Sequence, residues 1–247
     1  LSVSEQENKL QAYLEADRKQ GFQLDEPPLL RLAIFKLSEF NSKFIWTFHH
    51  ALLDGRSFPI VLKEVFAFYD SFCQGEELQL EPTRPYQDYI DWLQQQDFSK
   101  AEKFWRQFLH GFTTPTPLTV DKPFLSDRKN LEKEAENHFG EQEIRISEAI
   151  AKSLQSLARE HQITINTLLQ GTWALLLSRY SGEGDILFGA TKSCRRSTIP
   201  EAESMVGLLI NTLPIRVTVS PKMPLITWLK ELRLQWIKLR DYEHTPL

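Results

Sequence analysis

The chain has 247 residues, of which 41% are hydrophobic and 25% are charged, and its formal net charge at pH 7 is −4. Six Trp, six Tyr and sixteen Phe supply ample apolar surface to bury, which excludes disorder as the main state. The mild negative charge argues against a nucleic-acid partner, because phosphate contacts require clustered Lys and Arg. The length allows one large domain or two small ones.

The sequence favours a cytoplasmic protein without a membrane span. No apolar run reaches the ~18 residues that a spanning helix requires. The first ten residues are too polar for a signal peptide. Cys73 and Cys194 are too few and too far apart to form a disulfide scaffold, which fits a reducing compartment.

Hydrophobic periodicity predicts helices and one hairpin in the first 110 residues. The stretch 57–73 has apolar residues at helical spacing, with Ser57 as a plausible N-cap and Gly75 at its end. In chain order the predicted elements are a helix at 4–19, paired strands at 31–37 and 43–49, and helices at 57–73, 86–95 and 99–109.

The pattern changes after residue 110. Residues 111–123 contain three Pro and little periodicity, which is typical of a linker or a long surface crossing. Helix 164–180 is apolar almost all round and is therefore predicted to be buried. The elements predicted here are a strand at 143–146, a helix capped by Ser147 and running to 161, the helix at 164–180, strands at 185–190 and 213–219, and a helix at 225–240. Together they indicate two α/β halves.

The motif HHALLDG at residues 49–55 stands between a predicted strand end and a predicted helix start. Alternation along the strand places His50 on the same face as Phe44 and Trp46, and His49 on the other face. An imidazole at the edge of an apolar face is suited to act as a general base near pH 7.

Two further residues of this motif have chemical uses. Asp54 could hold an Arg or backbone N–H groups and so fix the loop. Gly55 has no Cβ, so backbone or a thin ligand arm can approach closely. His49, His50 and Asp54 are all of metal-ligand type, but adjacent strand residues point to opposite faces, so no metal site is predicted.

HHALLDG resembles the HHxxxDG motif of condensation domains of nonribosomal peptide synthetases, and other segments match that family in order. The match covers essentially the whole chain. YQDYIDW at 86–92 resembles the family segment YxDYAxW, and Phe104-Trp105 is similar to its usual continuation. Residues 188–195 resemble FGxxxSGR, with Cys194 where Gly is usual. VGLLINTLPIR at 206–216 resembles VGxFxNTxPxR.

The resemblance implies an α/β protein with α+β two-layer sandwich lobes in the chloramphenicol-acetyltransferase-like fold, in which two lobes surround a tunnel. Residues 1–110 would be a partial N-terminal lobe, 111–135 the crossing between lobes, and 136–247 a partial C-terminal lobe.

The resemblance also implies roles for the residues of the HHxxxDG loop. His50 would be the catalytic histidine, either accepting a proton from the acceptor amine or positioning that amine and stabilising the oxyanion. His49, Asp54 and Gly55 would support the active-site loop, and Gly55 would leave room for a phosphopantetheine arm.

Outside the loop, the resemblance places Asn211 and Ser193 at the tunnel between the lobes. It gives Arg216 a structural role, and the segment 86–92 a role in packing the N-terminal lobe.

The implied reaction is amide-bond formation between a carrier-bound acyl or peptidyl thioester and an aminoacyl thioester. No cofactor would bind directly, because phosphopantetheine arms would arrive on donor and acceptor peptidyl carrier domains, with an adenylation domain adjacent. Three alternatives stay open: an epimerisation-type relative, a relative that uses free alcohols or CoA thioesters, and a non-catalytic module that docks carrier proteins.

The chain also departs from the family pattern. The first two family motifs would precede Leu1, and an Arg from that region commonly pairs with the aspartate that matches Asp54. The partner of Asp54 is therefore open, since Arg56 is poorly placed by sequence to replace it. Residues 241–247 lack the Gln and Phe usual in the sixth motif. These departures predict a fragment of a longer synthetase, cut at both ends.

Overall fold

A computed structural model describes residues 1–118, 142–196 and 199–245. The chain forms two compact units. The first comprises Leu1–Gln96 together with Ser193–Ile210, and the second comprises Asp97–Lys192 together with Asn211–Leu247. The predicted lobe boundaries at 110 and 136 stay a prediction, and much of the predicted crossing lies outside the described residues.

The first unit contains the helices and the hairpin predicted from periodicity, each within about two residues of its expected bounds. Helix α1 begins with a capping box in which Ser2 and Glu5 satisfy each other's backbone N–H groups. The elements are α1 Val3–Gln20, β1 Leu30–Lys36, β2 Ser42–Phe48, α2 Ser57–Gln74 and α3 Tyr86–Gln94.

Strands β1 and β2 form an antiparallel hairpin in which Leu30 faces Phe48. One more backbone bond extends the ladder, from the His49 N–H to the Leu29 carbonyl (3.0 Å). The prediction that alternation carries His50 onto the strand face is therefore wrong, since His50 lies in the turn after the strand.

The two faces of this hairpin contact different helices. On one face the ring of Phe35 meets Tyr13 of α1 edge-on, with 5.0 Å between ring centroids. On the other face Trp46 stacks on Phe58 of α2 at 5.2 Å. Aromatic pairs of this kind fix the direction in which the chain leaves β2 and enters α2.

Most of a second strand pair, together with the helices that pack against it, belongs to the second unit. The Cys194 N–H bonds to the Leu209 carbonyl at one end, and the Val219 N–H bonds to the Gly184 carbonyl at the other, so the strands run antiparallel. The elements are α4 Phe98–Phe108, α5 Glu148–Glu160, α6 Ile165–Ser181, β3 Asp185–Ser193, β4 Ile210–Thr218 and α7 Leu225–Lys238. Ser147 caps α5 as predicted.

Helix α6 is not buried all round, contrary to the prediction. Leu169 is 60% exposed and Trp173 is 44% exposed. The buried residues are Thr167, Gln170, Gly171, Ala174 and Leu177. Helix α7 packs closely at Gly171, where a Cβ would lie 2.5 Å from the Leu229 side chain. Neither α6 nor any other helix in the described ranges is long and apolar enough to cross a membrane.

The predicted strand at 143–146 is also wrong. Residues 142–147 have no regular structure, and Ile144 is 88% exposed. A strand requires a neighbouring ladder for its backbone groups, and among the described residues none pairs with this segment. Apolar alternation over four residues is too short to specify one.

Candidate active site

His49 helps to build the turn between β2 and α2. Its carbonyl accepts the Leu52 N–H (3.0 Å), and its Nδ1 accepts the Ala51 N–H (3.1 Å). Its ring lies edge-on to Phe22 with 6.3 Å between centroids. Because Nδ1 accepts a hydrogen bond, the proton of a neutral His49 imidazole lies on Nε2. These contacts commit His49 to the shape of the loop.

His50 differs from its neighbour in every one of these respects. It is exposed, and its imidazole makes no hydrogen bond to any residue that the structure describes. The adjacent histidines thus divide into one that shapes the turn and one whose ring nitrogens can meet a ligand.

Asp54 is buried (1% exposed) and accepts hydrogen bonds on both carboxylate oxygens. Oδ1 accepts the N–H groups of Arg56 (3.1 Å) and Ser57 (2.8 Å) and the Arg195 Nη2 group (2.8 Å). Oδ2 accepts the Leu209 N–H (3.0 Å). The carboxylate therefore holds the loop, the start of α2 and the segment before β4 together within the first unit.

Arg195 is the ion-pair partner of Asp54 that sequence reasoning left open. Its Nη1 donates to the carbonyls of Ala202 (2.7 Å) and Met205 (2.6 Å), and its Nη2 donates to Asp54 and to Ser57 Oγ (2.9 Å). The two charged side chains are 1% and 0% exposed. In the sequence, Arg195 was recognised only as the arginine of the FGxxxSGR-like segment, and that motif does not indicate which carboxylate the arginine pairs with.

Arg56 does not pair with Asp54, which agrees with the expectation that its position in the sequence is poorly suited to that role. Its side chain is 61% exposed and lies 3.7 Å from Glu203. An exposed pair at this distance contributes little, because solvent screens it.

Two opposing effects set the pKa of Asp54. Burial raises the pKa, whereas the hydrogen bonds from Arg195, Ser57 and Leu209 lower it, and the net pKa is below its ordinary value. The carboxylate stays ionised at neutral pH. A buried charge that is paired and fully hydrogen-bonded is the form in which proteins tolerate one.

The start of α2 corrects the prediction that Ser57 is its N-cap. Ser57 is the first residue of the helix, and the side chain of Arg56, the residue before it, makes no cap bond. Asp54 instead accepts the first two N–H groups. The Ser57 hydroxyl does not cap the helix and instead contacts Gly207, Asp54 Oδ1 and Arg195 Nη2.

Gly55 faces open space. It is exposed, and a Cβ built on it would meet nothing within 4 Å. Its φ angle is outside the left-handed region that favours glycine. The packing of this chain therefore does not account for a glycine here, and the predicted room for a phosphopantetheine arm stays a prediction.

Ser193 and Asn211 lie on the paired strands of the second sheet. Ser193 is the last residue of β3 and is exposed. Asn211 lies in β4, where its Nδ2 donates to the backbone carbonyls of Glu243 (3.0 Å) and Thr245 (2.6 Å). Asn211 thus fastens the turn after the last helix, and the placement of both residues at a tunnel stays a prediction.

Arg216 of β4 makes the contacts of a structural residue, as predicted. It pairs with Asp185 at 2.7 Å and donates to the carbonyls of Phe108 (3.2 Å) and His110 (2.7 Å). These bonds hold the end of α4 to the sheet.

A groove of about 570 Å³ lies in the second unit, between the end of α6 and the start of α7. Arg179, Glu183 and Trp228 are among its lining residues. None of the predicted site residues contributes to it. The convergent polar groups lie instead around Asp54, which makes the HHALLDG loop the better candidate.

Comparison with known proteins shows which family the whole chain matches. A family model described as "Condensation domain" matches residues 1–247. A linear gramicidin synthase polypeptide of Brevibacillus parabrevis is 47% identical over 251 residues, covering 100% of this chain and 5% of that protein. "Surfactin synthase subunit 3" of Bacillus subtilis (strain 168) is 36% identical over 247 residues, covering 100% and 19%. The chain thus spans a small part of these relatives.

Solved structures show the same fold. The first condensation domain of the CDA synthetase aligns with TM-score 0.73 at 16% identity, covering 97% of this chain and 52% of that one. The X-domain from teicoplanin biosynthesis aligns with TM-score 0.75 at 22% identity, covering 93% and 52%. The predicted chloramphenicol-acetyltransferase-like α/β fold is confirmed, and the chain spans about half of each structure.

Replacing Arg195 with Ala is expected to lower the free energy of unfolding by about 3–5 kcal/mol, because it leaves the charge of Asp54 buried without its partner. Chemical denaturation measures this. Arg106→Ala is the matched control, since it removes an exposed pair with Glu102 and is expected to cost less than about 0.5 kcal/mol. Equal losses in the two variants would contradict the structural role of Arg195.

The lowered pKa of Asp54 predicts a pH dependence. A carboxyl whose folded pKa is below its unfolded pKa stabilises fully above the unfolded value, about 3.9, and loses that contribution as pH falls through the folded value. Asp54→Asn is expected to be less stable at pH 7 and to lose less stability between about pH 4 and 2. Urea denaturation across this range tests it, with exposed Asp70→Asn as control. Parallel curves for wild type and Asp54→Asn would refute the assignment.

Proposed function

We propose that this chain, which belongs to the condensation-domain family, forms the amide bond between two carrier-bound substrates in nonribosomal peptide synthesis. The amine of an acceptor aminoacyl thioester attacks the carbonyl of the donor acyl or peptidyl thioester. The C–N bond forms, the C–S bond breaks, and the arm of the donor carrier is left as a free thiol. The family description and the names of the relatives support this reaction and give no support to epimerisation or to a docking module.

One observation carries the proposal: His50 is exposed on a loop whose other polar groups are engaged. His49 shapes the turn, and Asp54 is held by Arg195 in a buried, ionised pair. A reacting side chain on such a loop is held in place without being occupied by internal bonds. This supports His50 as the catalytic residue, with His49, Asp54 and Gly55 supporting the loop.

The chemistry open to His50 is of two kinds. Its ring nitrogen can accept a proton from the attacking ammonium or amine, or it can orient the amine and donate to the oxyanion of the tetrahedral intermediate. Either role requires a side chain within hydrogen-bond reach of the substrate, and the exposure of His50 allows it. Holding both thioesters in the site supplies the proximity that makes the reaction effectively unimolecular.

Phosphopantetheine reaches the site as the arm of a carrier domain, and its thiol carries each substrate as a thioester. Gly55 suits such an arm, because the space over its Cα is open. Asn211 and Ser193 are proposed at the tunnel, and the lobes are proposed as 1–110 and 136–247. The partners are donor and acceptor carrier domains and an adenylation domain, and we propose a cytoplasmic location.

Replacing His50 with Ala is expected to lower the single-turnover rate of amide formation at least 100-fold, because it removes the one side chain assigned to proton transfer or oxyanion contact. The full synthetase, given ATP and an amino-acid mixture, loads its own carriers, and intact-protein mass spectrometry follows transfer to the acceptor carrier.

The control for this variant is His110→Ala, which removes another exposed imidazole and is expected to leave the rate unchanged. His49→Ala is expected to lower thermal stability, since it loses the bond to Ala51. If His50→Ala transfers at the wild-type rate, the assignment of His50 is wrong.

Replacing Gly55 with Ala is expected to leave the melting temperature within about 2 °C of wild type, because the added methyl meets no atom of this chain. The same methyl is expected to hinder a phosphopantetheine arm and to lower amide formation at least tenfold. Thermal denaturation and the transfer assay measure the two effects. Full activity in Gly55→Ala would show that no arm passes over this residue.

A further inference from the structure

Three consecutive residues before β4 are each held through their backbone by a different side chain of the first unit. We call residues 207–209 the backing strip. Its contacts with these side chains are four hydrogen bonds: two between Gly207 and Ser57 (2.8 and 2.9 Å), one between Leu208 and Tyr86 (2.9 Å) and one between Leu209 and Asp54 (3.0 Å). Every residue of the strip therefore has at least one backbone group fixed from outside the strip.

The Ser57 hydroxyl is fully used in this arrangement. Its oxygen accepts the Gly207 N–H and the Arg195 Nη2 group, which fills both lone pairs. The single hydroxyl proton of Ser57 has two acceptors within reach, the Gly207 carbonyl at 2.8 Å and Asp54 Oδ1 at 2.9 Å. Ser57 Oγ thus lies within hydrogen-bond distance of both backbone groups of Gly207 and of the Asp54 carboxylate.

Tyr86, the first residue of α3, contacts the backing strip through both its hydroxyl and its ring. Its hydroxyl donates to the Leu208 carbonyl, and its ring lies where a Cβ on Gly207 would stand. Burial, and then the negative charge of Asp54, raise the pKa of Tyr86, so the phenol keeps the proton that it donates. Glycine is required at 207 because this ring approaches its backbone so closely.

The strip connects Tyr86 to the loop of His50. The hydroxyl of Tyr86 bonds to the strip, and the strip in turn bonds to Asp54 and Ser57, the residues that fix the end of that loop and the start of α2. Removing the phenol oxygen therefore perturbs the loop through Leu208, while the ring that packs on Gly207 remains.

We propose that Tyr86 is a positioning residue for the condensation reaction, which acts through the backing strip to hold the loop that presents His50. The proposal rests on the proposed function for its effect on rate, and on the hydrogen bonds of the first unit for its effect on the loop. Ser57 is the second positioning residue of the same arrangement.

The test compares Tyr86→Phe with Tyr13→Phe in the full synthetase. Both variants remove one phenol oxygen from the first unit and keep the ring. The Tyr13 hydroxyl, unlike that of Tyr86, makes no hydrogen bond to a described residue, and the Tyr13 ring packs against Phe35 of β1. Single-turnover transfer gives the rate, and hydrogen–deuterium exchange gives the protection of peptides that cover 49–57 and 206–210.

The expected result is a transfer rate at least tenfold lower in Tyr86→Phe, with at least fivefold faster exchange in both peptides and no change in Tyr13→Phe. A rate within twofold of wild type, or faster exchange confined to 206–210, overturns the proposal. Failure of the proposed function appears separately, as an unchanged rate in His50→Ala. In that event the exchange of 49–57 alone decides whether Tyr86 positions the loop.

Discussion

The buried ion pair between Asp54 and Arg195 is the interaction on which the candidate site depends. Taking two charges out of water is costly, and the cost is repaid only when the remaining lone pairs and protons also find partners. Here they largely do: the carboxylate accepts four N–H groups, and the guanidinium donates to two carbonyls besides. The loop, the start of α2 and the backing strip take their positions from the same two side chains.

This arrangement ties the ends of the loop that presents His50 to buried hydrogen bonds. Hydrogen-bonded polar groups in a low-dielectric interior favour a single geometry. The turn residue His49 uses its ring and its backbone, Ser57 uses its hydroxyl, and Asp54 uses both oxygens. Of the polar side chains at 49–54, all of which the structure describes, His50 is the one left to solvent. Rigid support beneath an exposed imidazole is what general acid–base or oxyanion chemistry requires.

The sequence predicted the features that depend on neighbouring residues, such as helix bounds and helix caps. Helical periodicity gave α2 and α7 nearly to the residue, and the cap at Ser147 followed from its hydroxyl. It failed where distant residues decide: among the described residues no ladder forms beside 143–146, and α7 covers only one face of α6, which leaves Leu169 and Trp173 exposed. Arg195 lies 141 residues beyond Asp54, so no local pattern could pair them. The backing strip was missed for the same reason, although Tyr86 and Gly207 both stood in recognised motifs.

The first unit is assembled from two stretches of chain, 1–96 and 193–210, with most of the second unit encoded between them. This has a consequence for recombining synthetases. A chimaera joined anywhere in the intervening stretch takes its aspartate from one parent and its arginine, glycine and backing strip from the other. A cut placed at the linker predicted from sequence therefore divides the loop that carries His50 from the residues that support it. Exchanging residues 193–210 together with the first 96 keeps the inherited hydrogen bonds of the loop within one parent.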